Sequence, residues 1–490
     1  MTEKIKDSYD VLLYMSDQHT AGVAGFMGDK IVRTPNLDAI AERAFVFENA
    51  YTTCPLCVPA RASFMTGRIP SRLGVFNNAG DFKSSEPTFA HAHAMKGYES
   101  VLIGRMHFVG MDFYHGFTKR IGSDITNSFW GYTTEKREDM GDFGRSFYQK
   151  YCLEVIGKGE SPVSRYDQEV VRLAEDYLDG EYQKPQLIVV GTYAPHFPYY
   201  TDAELTEKYR QLIKKDYQRS ECDSRLPPVL SKKQYATDEE IINLRSSYYA
   251  MVETMDAQIG HVREKFGQYL RRNNRKGIFI YMSDHGDQLG YKSLYGKQTF
   301  YEKSAKIPLM IEVIGKPGGR IRESVSIADL APTLCEINGT EPLPFTDGRS
   351  LCSLMKGVRE PERYVLSEFY DTIQGKEVCG RMVHCNGKKL ISYQNYEELD
   401  ELFDTEKDAQ EENNIAKIDI DCYNKLKNYL IKFGHSTNYM QSYRENKQKY
   451  EVLEKYGENQ THLNQYTYTV PEDVRKVEEQ FKRKKRKNIG

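Results

Sequence analysis

Residues 11–18 read VLLYMSDQ, an apolar run from Val11 to Met15 that stops on Ser16, Asp17 and Gln18. The pattern recurs at Leu187–Val190 (LIVV), which meets Gly191, and at Ile278–Met282 (IFIYM), which meets Ser283, Asp284 and His285. Short, continuous apolar runs with such boundaries mark strands buried on both faces. Segments with helical spacing lie among them, at Leu37–Arg43, Val170–Leu178 and Ile241–Phe266. Strands alternating with helices predict an α/β protein, a doubly wound layer of parallel strands covered by helices. In such sheets functional groups gather at the carboxyl ends of the strands. Asp17, Gln18, Asp284 and His285 are therefore candidates, although each one alone is equally well explained as an N-cap or turn residue.

The chain of 490 residues exceeds the size at which one hydrophobic core stops growing, so one very large domain or two are expected. The character of the sequence changes near residue 360. Tyr364–Glu368, Val383–Cys385 and Lys389–Tyr393 are short strand-like pieces joined by polar and Asn-Gly turns, which predict a small antiparallel sheet. Helical pieces follow at 421–432 and 440–455. The division expected is a catalytic α/β domain over 1–360 and a smaller α+β domain over 361–490 with a Tyr-rich and basic tail.

Lys plus Arg number 68 against 70 Asp plus Glu, which removes the electrostatic case for a nucleic-acid binder. The run KRKKRK at 482–487 reads as a solvated tail. No stretch approaches the ~18 apolar residues of a membrane span, and no leader pattern opens the chain, so no membrane association and a cytoplasmic location are expected. Nine cysteines, an odd number in a long chain, make a disulfide scaffold unexpected. There are 36 Tyr, 22 Phe and a single Trp. Phe108, Tyr114, Phe117, Trp130 and the Tyr-rich end at 439–468 either line a specificity pocket or pack. That end lies over the larger domain or against a second copy, which leaves a homo-oligomer open.

Two strand ends that each offer a carboxylate and a second ligand can converge on one divalent cation. Mostly oxygen donors favour Ca2+, Mg2+ or Mn2+ over a thiolate zinc site. The segment CPLCVPARASFMTGRIPSR (54–72) adds a helix, read as starting over Ala60–Met65, with Cys57 at its mouth, Arg61 one turn on and Arg68 beyond. Helix N-termini attract anions, so one reading is a nucleophile with a lowered thiol pKa beside an anion site. A plain anion site or a buried structural cysteine fits equally well.

Cys57-Val58-Pro59-Ala60-Arg61, followed by Ala62-Ser63-Phe64-Met65-Thr66-Gly67-Arg68, resembles the signature of the type I sulfatases of the alkaline-phosphatase-like superfamily. Ala60 stands where many members have Ser; Pro59 and Arg61 are kept. The resemblance spans about residues 8–415, including ELFDTEKDAQEENN at 401–414. It implies an alkaline-phosphatase-like α/β sandwich with a large mixed, mostly parallel sheet flanked by helices and a smaller C-terminal domain with an antiparallel sheet.

The resemblance also implies that a maturase converts Cys57 to formylglycine, whose hydrated aldehyde is the nucleophile. Asp17 with Gln18, and Asp284 with His285, match the two metal pairs that hold one divalent cation together with residue 57; Ca2+ is expected first, with Mg2+ or Mn2+ as alternatives. Gln18 and His285 resemble the branches related to choline sulfatase and phosphonate monoester hydrolase. Gly104-Arg105-Met106-His107 places Arg105 on the sulfate and His107 beside the nucleophile. His196 in APHFPYY matches the histidine near the ester oxygen, and Lys297 in LYGKQTFYE the lysine bridging sulfate and leaving group. Asn78, in VFNNAGDF, is a further anion donor, with Asn77 an equally close choice.

In the implied reaction, one hydroxyl of the hydrated aldehyde, oriented by Arg61, attacks sulfur. Arg105, Lys297 and the cation stabilise the oxygens, and His196 with Lys297 assists departure of the alcohol. His107 then takes a proton from the second hydroxyl and sulfate leaves. The substrate expected is a small sulfate monoester of a carbohydrate, choline or aryl alcohol. The same core also suits a phosphonate or phosphate monoester hydrolase, and a binding protein without turnover is the reading of a different class.

Overall fold

β1 (Tyr9–Asp17) contains the VLLYM run, and every residue from Asp10 onward is buried. The remaining strands of the first part are β2 (Phe45–Tyr51), β3 (Glu99–Gly104), β4 (Lys119–Ile121), β5 (Ile156–Lys158), β6 (Gln186–Pro195), β7 (Tyr199–Thr201), β8 (Lys276–Ser283), β9 (Leu309–Val313) and β10 (Gly319–Ser326). The structure is a computed structural model that describes residues 8–131, 133–219, 224–230, 236–434, 438–458, 460 and 467–481. Eight strands form one sheet in the order β10-β2-β9-β8-β1-β6-β3-β4. Neighbours run parallel except β9, which is antiparallel to both β8 and β2. The sheet is thus large, mixed and mostly parallel.

The sheet separates two cores, and β1 shows why its sequence is apolar throughout. Leu12 and Tyr14 enter the core shared with helices Pro35–Ala41, Pro162–Leu178 and Asp238–Arg272, whereas Val11, Leu13 and Met15 enter the core shared with Cys57–Thr66, Phe89–Met95 and Leu330–Asn338. The helix expected over 241–266 runs from Asp238 to Arg272. Its start is fixed by a capping box in which Thr237 Oγ1 accepts from Glu240 N and Glu240 Oε2 accepts from Thr237 N.

After residue 360, β11 (Val365–Ile373), β12 (Lys376–Cys385), β13 (Lys388–Tyr393) and β14 (Glu401–Asp404) form an antiparallel meander. Asn386 and Gly387, at φ 50° and 69°, supply the two left-handed residues that a two-residue hairpin turn requires. Helix Ile420–Gly434 buries Leu426 and Leu430 against Val383, Leu390 and Leu402. Lys389, fully buried, joins the two parts: its Nζ donates to Phe300 O at 3.0 Å, pairs with Glu302 at 2.7 Å and pairs with Glu411.

The last strand, β15 (Glu479–Gln480), pairs with β5, which also pairs with β7. The Tyr-rich end lies over the larger part. On helix Asn438–Gly457, Tyr450 stacks on Trp130 with centroids 5.4 Å apart and an interplanar angle of 17°. Trp130 N–H donates to Ala79 O at 2.8 Å, and Phe108 and Phe117 are buried in the same cluster, so these rings pack; Tyr114 is exposed. The KRKKRK run lies outside the described residues. Among them the eight cysteines are free, and no helix is long and apolar enough to cross a membrane.

Candidate active site

Four neighbouring strands, β8, β1, β6 and β3, end on the same edge of the sheet. Ser16 and Ser283 are register partners, so Asp17–Gln18 and Asp284–His285 leave the sheet side by side. β6 leads to His196 and β3 to Arg105 and His107. Above this edge stands helix Cys57–Thr66, which is buried throughout. It starts at Cys57, ahead of the expected Ala60, because Pro59 sits in the first turn, where a missing N–H costs no helical bond. Asn78 Oδ1 accepts from Val58 N at 3.1 Å in that turn. Asn77 instead reaches Asp371, at 3.0 Å, so Asn78 is the residue that faces the helix mouth.

Cys57 Sγ lies 3.2 Å from His285 Nε2, 3.2 Å from Lys297 Nζ and 3.6 Å from Asp17 Oδ1. Each carboxylate divides its oxygens. Asp17 Oδ2 receives Arg61 Nη2 at 3.1 Å and Arg105 Nε at 2.8 Å, and Asp284 Oδ2 receives Arg61 Nε at 2.8 Å. The Oδ1 atoms turn the other way, 3.8 Å and 3.7 Å from His285 Nε2. Arg61, expected to orient the nucleophile, makes its bonds to the two carboxylates and to Arg105 O, so any influence on residue 57 passes through Asp17. Arg68 is remote from this cluster, paired with Glu86 at 2.7 Å.

The histidine tautomers follow from their partners. His285 Nδ1 lies 3.1 Å from Gly286 O and must donate to it, which leaves the lone pair on Nε2 facing Cys57. His196 Nδ1 donates to Phe197 O at 2.6 Å, so its Nε2 accepts from Lys297 Nζ at 2.7 Å. At His107 the order is reversed. Arg105 Nη2, which can only donate, is 2.8 Å from Nδ1, so neutral His107 carries its proton on Nε2. This tautomer suits donation of a hydrogen bond and does not suit the proton abstraction expected of His107.

Charge is tightly arranged. Burial opposes ionisation of Asp17, but Arg105, Arg61 and Lys297 outweigh it and hold the carboxyl well below its ordinary range. Burial, and then Arg105, keeps His107 neutral; burial, and then Lys297, does so for His196. Of the readings open for Cys57, the one with a lowered thiol pKa is opposed by its surroundings. Burial and the Asp17 carboxylate push the thiol up to about 11, against the pull of Lys297.

The sulfatase family model matches residues 10–340, and a model of the C-terminal region of N-sulphoglucosamine sulphohydrolase matches residues 290–436. This chain belongs to the sulfatase family. Among curated relatives, a choline-sulfatase of Rhizobium meliloti is 32% identical over 83% of this sulfatase and 82% of its own length. An arylsulfatase of Clostridium perfringens is 28% identical over 86% and 93%. Among solved structures, a phosphonate monoester hydrolase of Agrobacterium radiobacter superposes with a TM-score of 0.65 at 19% identity over 91% of this chain and 96% of that one, a likeness of fold. The sulfatase shares the alkaline-phosphatase-like architecture and is a sulfuric ester hydrolase.

The cluster of this sulfatase fits a metal ion. Asp17, Cys57, Asp284 and His285 each offer a ligand atom, and these atoms lie within 4.8 Å of one another. Gln18 Oε1 is buried with no hydrogen-bond partner among the described residues, a cost of ~1–3 kcal/mol that a cation would relieve. Carboxylate and amide oxygens with one imidazole nitrogen form a donor set for a hard or borderline divalent cation. Sequence reasoning missed three supporting residues. Asp124 accepts from Arg105 Nη1 at 2.9 Å and His107 N at 2.7 Å. Gln149 brackets Lys297, with Nε2 2.9 Å from Lys297 O and Oε1 3.3 Å from Lys297 N. Asp287 accepts from Gln18 Nε2. Asp287 is visible in YMSDHGDQLG, two residues past His285; Asp124 and Gln149 lie in stretches with no periodic signal.

Proposed function

We propose that a maturase converts Cys57 to formylglycine and that the site then hydrolyses the sulfate monoester of a small alcohol with the help of a divalent cation, Ca2+ first among the candidates. The observation that carries this reading is the setting of Cys57 Sγ, 3.2 Å from both a lysine ammonium and an imidazole lone pair, with a thiol pushed up to about 11. A thiol that stays protonated is a poor nucleophile, so a site otherwise complete for catalysis supports a modified residue 57. Hydrated formylglycine would supply an oxygen nucleophile, and a cation held by Asp17, Gln18, Asp284 and His285 would supply positive charge to it and to the ester oxygens.

The remaining residues have separable tasks. Arg105 and Lys297 offer fixed positive charge to the nonbridging oxygens, and Asn78 offers its amide N–H groups at the mouth of the helix. The Lys297–His196 pair holds one proton across 2.7 Å and delivers it to the leaving oxygen. His107 donates a hydrogen bond from Nε2. The mixed sheet up to about residue 360 forms the catalytic unit, and the separate meander after it is the closing unit that buttresses the Lys297 loop through Lys389.

The similarity to choline-sulfatase puts choline sulfate first among substrates. One contact supports it. A Cβ built on Gly110, close after His107, would lie 3.0 Å from Asp81 Oδ1, so a carboxylate stands there. A carboxylate suits a quaternary ammonium group. Mass spectrometry of the tryptic peptide with residue 57 should show the aldehyde, and an intact thiol in active enzyme defeats the mechanism. A panel of choline sulfate, sulfated monosaccharides and an aryl sulfate, each paired with its phosphate or phosphonate counterpart, should give the highest kcat/KM for choline sulfate. Faster phospho-ester turnover would reverse the reading.

A further inference from the structure

Gln18 is held at every polar atom but one. Its N–H donates to Asp284 Oδ1 at 3.1 Å, its carbonyl accepts from Tyr248 OH at 2.7 Å, and its amide Nε2 donates to Asp287 Oδ2. Its φ of 69° places the backbone in the left-handed region, which the surrounding bonds maintain. Oε1 alone, buried, has no partner among the described residues. The oxygen and nitrogen of an amide have nearly the same shape, so whichever end faces a ligand is decided by what the other end meets.

Asp287 makes that decision. Its Oδ2 also takes the Tyr199 hydroxyl at 2.7 Å and its Oδ1 takes Leu289 N–H at 2.9 Å, so the carboxylate is surrounded by donors and acts only as acceptor. The Gln18 nitrogen must then face Asp287 and the oxygen must face away. The geometry points to Asp287 as the positioning residue that makes Gln18 an oxygen ligand, an inference that rests on the reading of a divalent cation at this cluster. Without Asp287 the amide has no reason to prefer oxygen over nitrogen at the cation, and a nitrogen there repels it.

Asp287→Asn preserves shape and reverses direction. Leu289 N–H only donates, so the new amide keeps its oxygen there and presents NH2 to Gln18, which flips to accept and turns its own NH2 toward the cation. Metal-stripped wild type, Asp287→Asn, Gln18→Ala and the double variant are titrated calorimetrically with Ca2+ and with Mn2+. Asp287→Asn is expected to bind about 10- to 100-fold more weakly, as outer-shell losses typically do, with no further loss in the Gln18→Ala background. Binding within about twofold of wild type, or losses that multiply in the double variant, overturns the assignment. If Asp287→Asn does not fold, Asp287→Ala is judged by the same two outcomes, and failure of both to fold makes Asp287 structural and also overturns it. Wild type that binds neither cation removes the premise instead, a different result from wild-type binding that Asp287 variants leave intact.

Discussion

Replacement of Arg61 by alanine tests whether the two carboxylates depend on this guanidinium. Arg61 is buried and reaches Asp284 Oδ2 at 2.8 Å and Asp17 Oδ2 at 3.1 Å. The two losses are unequal. Asp17 Oδ2 keeps Arg105 Nε at 2.8 Å, whereas Asp284 Oδ2 loses its ion pair and retains backbone N–H bonds only on Oδ1. The perturbation thus abandons one buried carboxylate, so the expected cost is about 3–5 kcal/mol in the metal-free protein rather than twice that. Against a typical total of about 5–15 kcal/mol this is a large fraction. Urea unfolding in the presence of a chelator, followed by far-UV circular dichroism and by fluorescence of the single Trp130, measures it. Saturating cation neutralises the same Asp284 and should recover more stability in Arg61→Ala than in wild type. A metal-free change below about 1 kcal/mol would refute the reasoning.

Three further outcomes follow from separate parts of the molecule. Gly191→Ala places a Cβ 1.8 Å from the Arg105 carbonyl, so Arg105 must move and kcat/KM should fall by about 100-fold or more; unchanged kinetics would show that Arg105 is not required in place. Glu401 is buried, and burial raises its carboxyl from 4.5 to about 7 against the hydrogen bond from Tyr301. The folded state therefore holds a proton that the unfolded chain has released, and stability present below pH 4.5 is lost as pH rises through 7. Glu401→Gln should raise the Tm at pH 8, by an amount equivalent to about 3 kcal/mol, and leave it nearly unchanged at pH 4.5. Asp81→Asn should raise KM for choline sulfate and leave KM for an aryl sulfate unaffected; equal effects on both would remove Asp81 from substrate recognition.

Much of this was legible in the sequence, and for identifiable reasons. The run VLLYM reads as a strand because β1 is covered on both faces and cannot alternate. Polar residues next to such runs mark the carboxyl edge, which is how Asp17, Gln18, Asp284 and His285 stand out. Cys57 and Arg61 stand out at the mouth of a helix, whereas Arg105, His107, His196 and Lys297 required the family resemblance, because no spacing rule connects residues brought together from different loops. What stayed hidden depends on hydrogen-bond direction. The tautomer of His107 is set by Arg105 Nη2, and the face of the Gln18 amide by Asp287, contacts that no local pattern encodes. At Cys57 the helix N-terminus argues for a lower thiol pKa, one of the readings the sequence leaves open, while complete burial beside Asp17 argues more strongly for a higher one.

The charges at this edge also bear on which ester the site accepts. His107, His196 and His285 are held neutral, by burial in each case. Arg61, Arg105 and Lys297 stand against Asp17, Asp124 and Asp284, and these six balance. Asp287 behind Gln18 adds one negative charge, since its carboxyl, raised by burial to about 6, still ionises near neutral pH. A divalent cation would carry the cluster to a single positive charge. A sulfate monoester, a monoanion, brings that to neutrality inside a low-dielectric site, whereas a phosphate monoester dianion overshoots it and leaves an uncompensated buried charge. A phosphonate monoester, also a monoanion, meets the same condition. The balance therefore separates esters by charge, leaving the groups around the nonbridging positions, where a phosphonate carries a carbon substituent and a sulfate an oxygen, to separate these two.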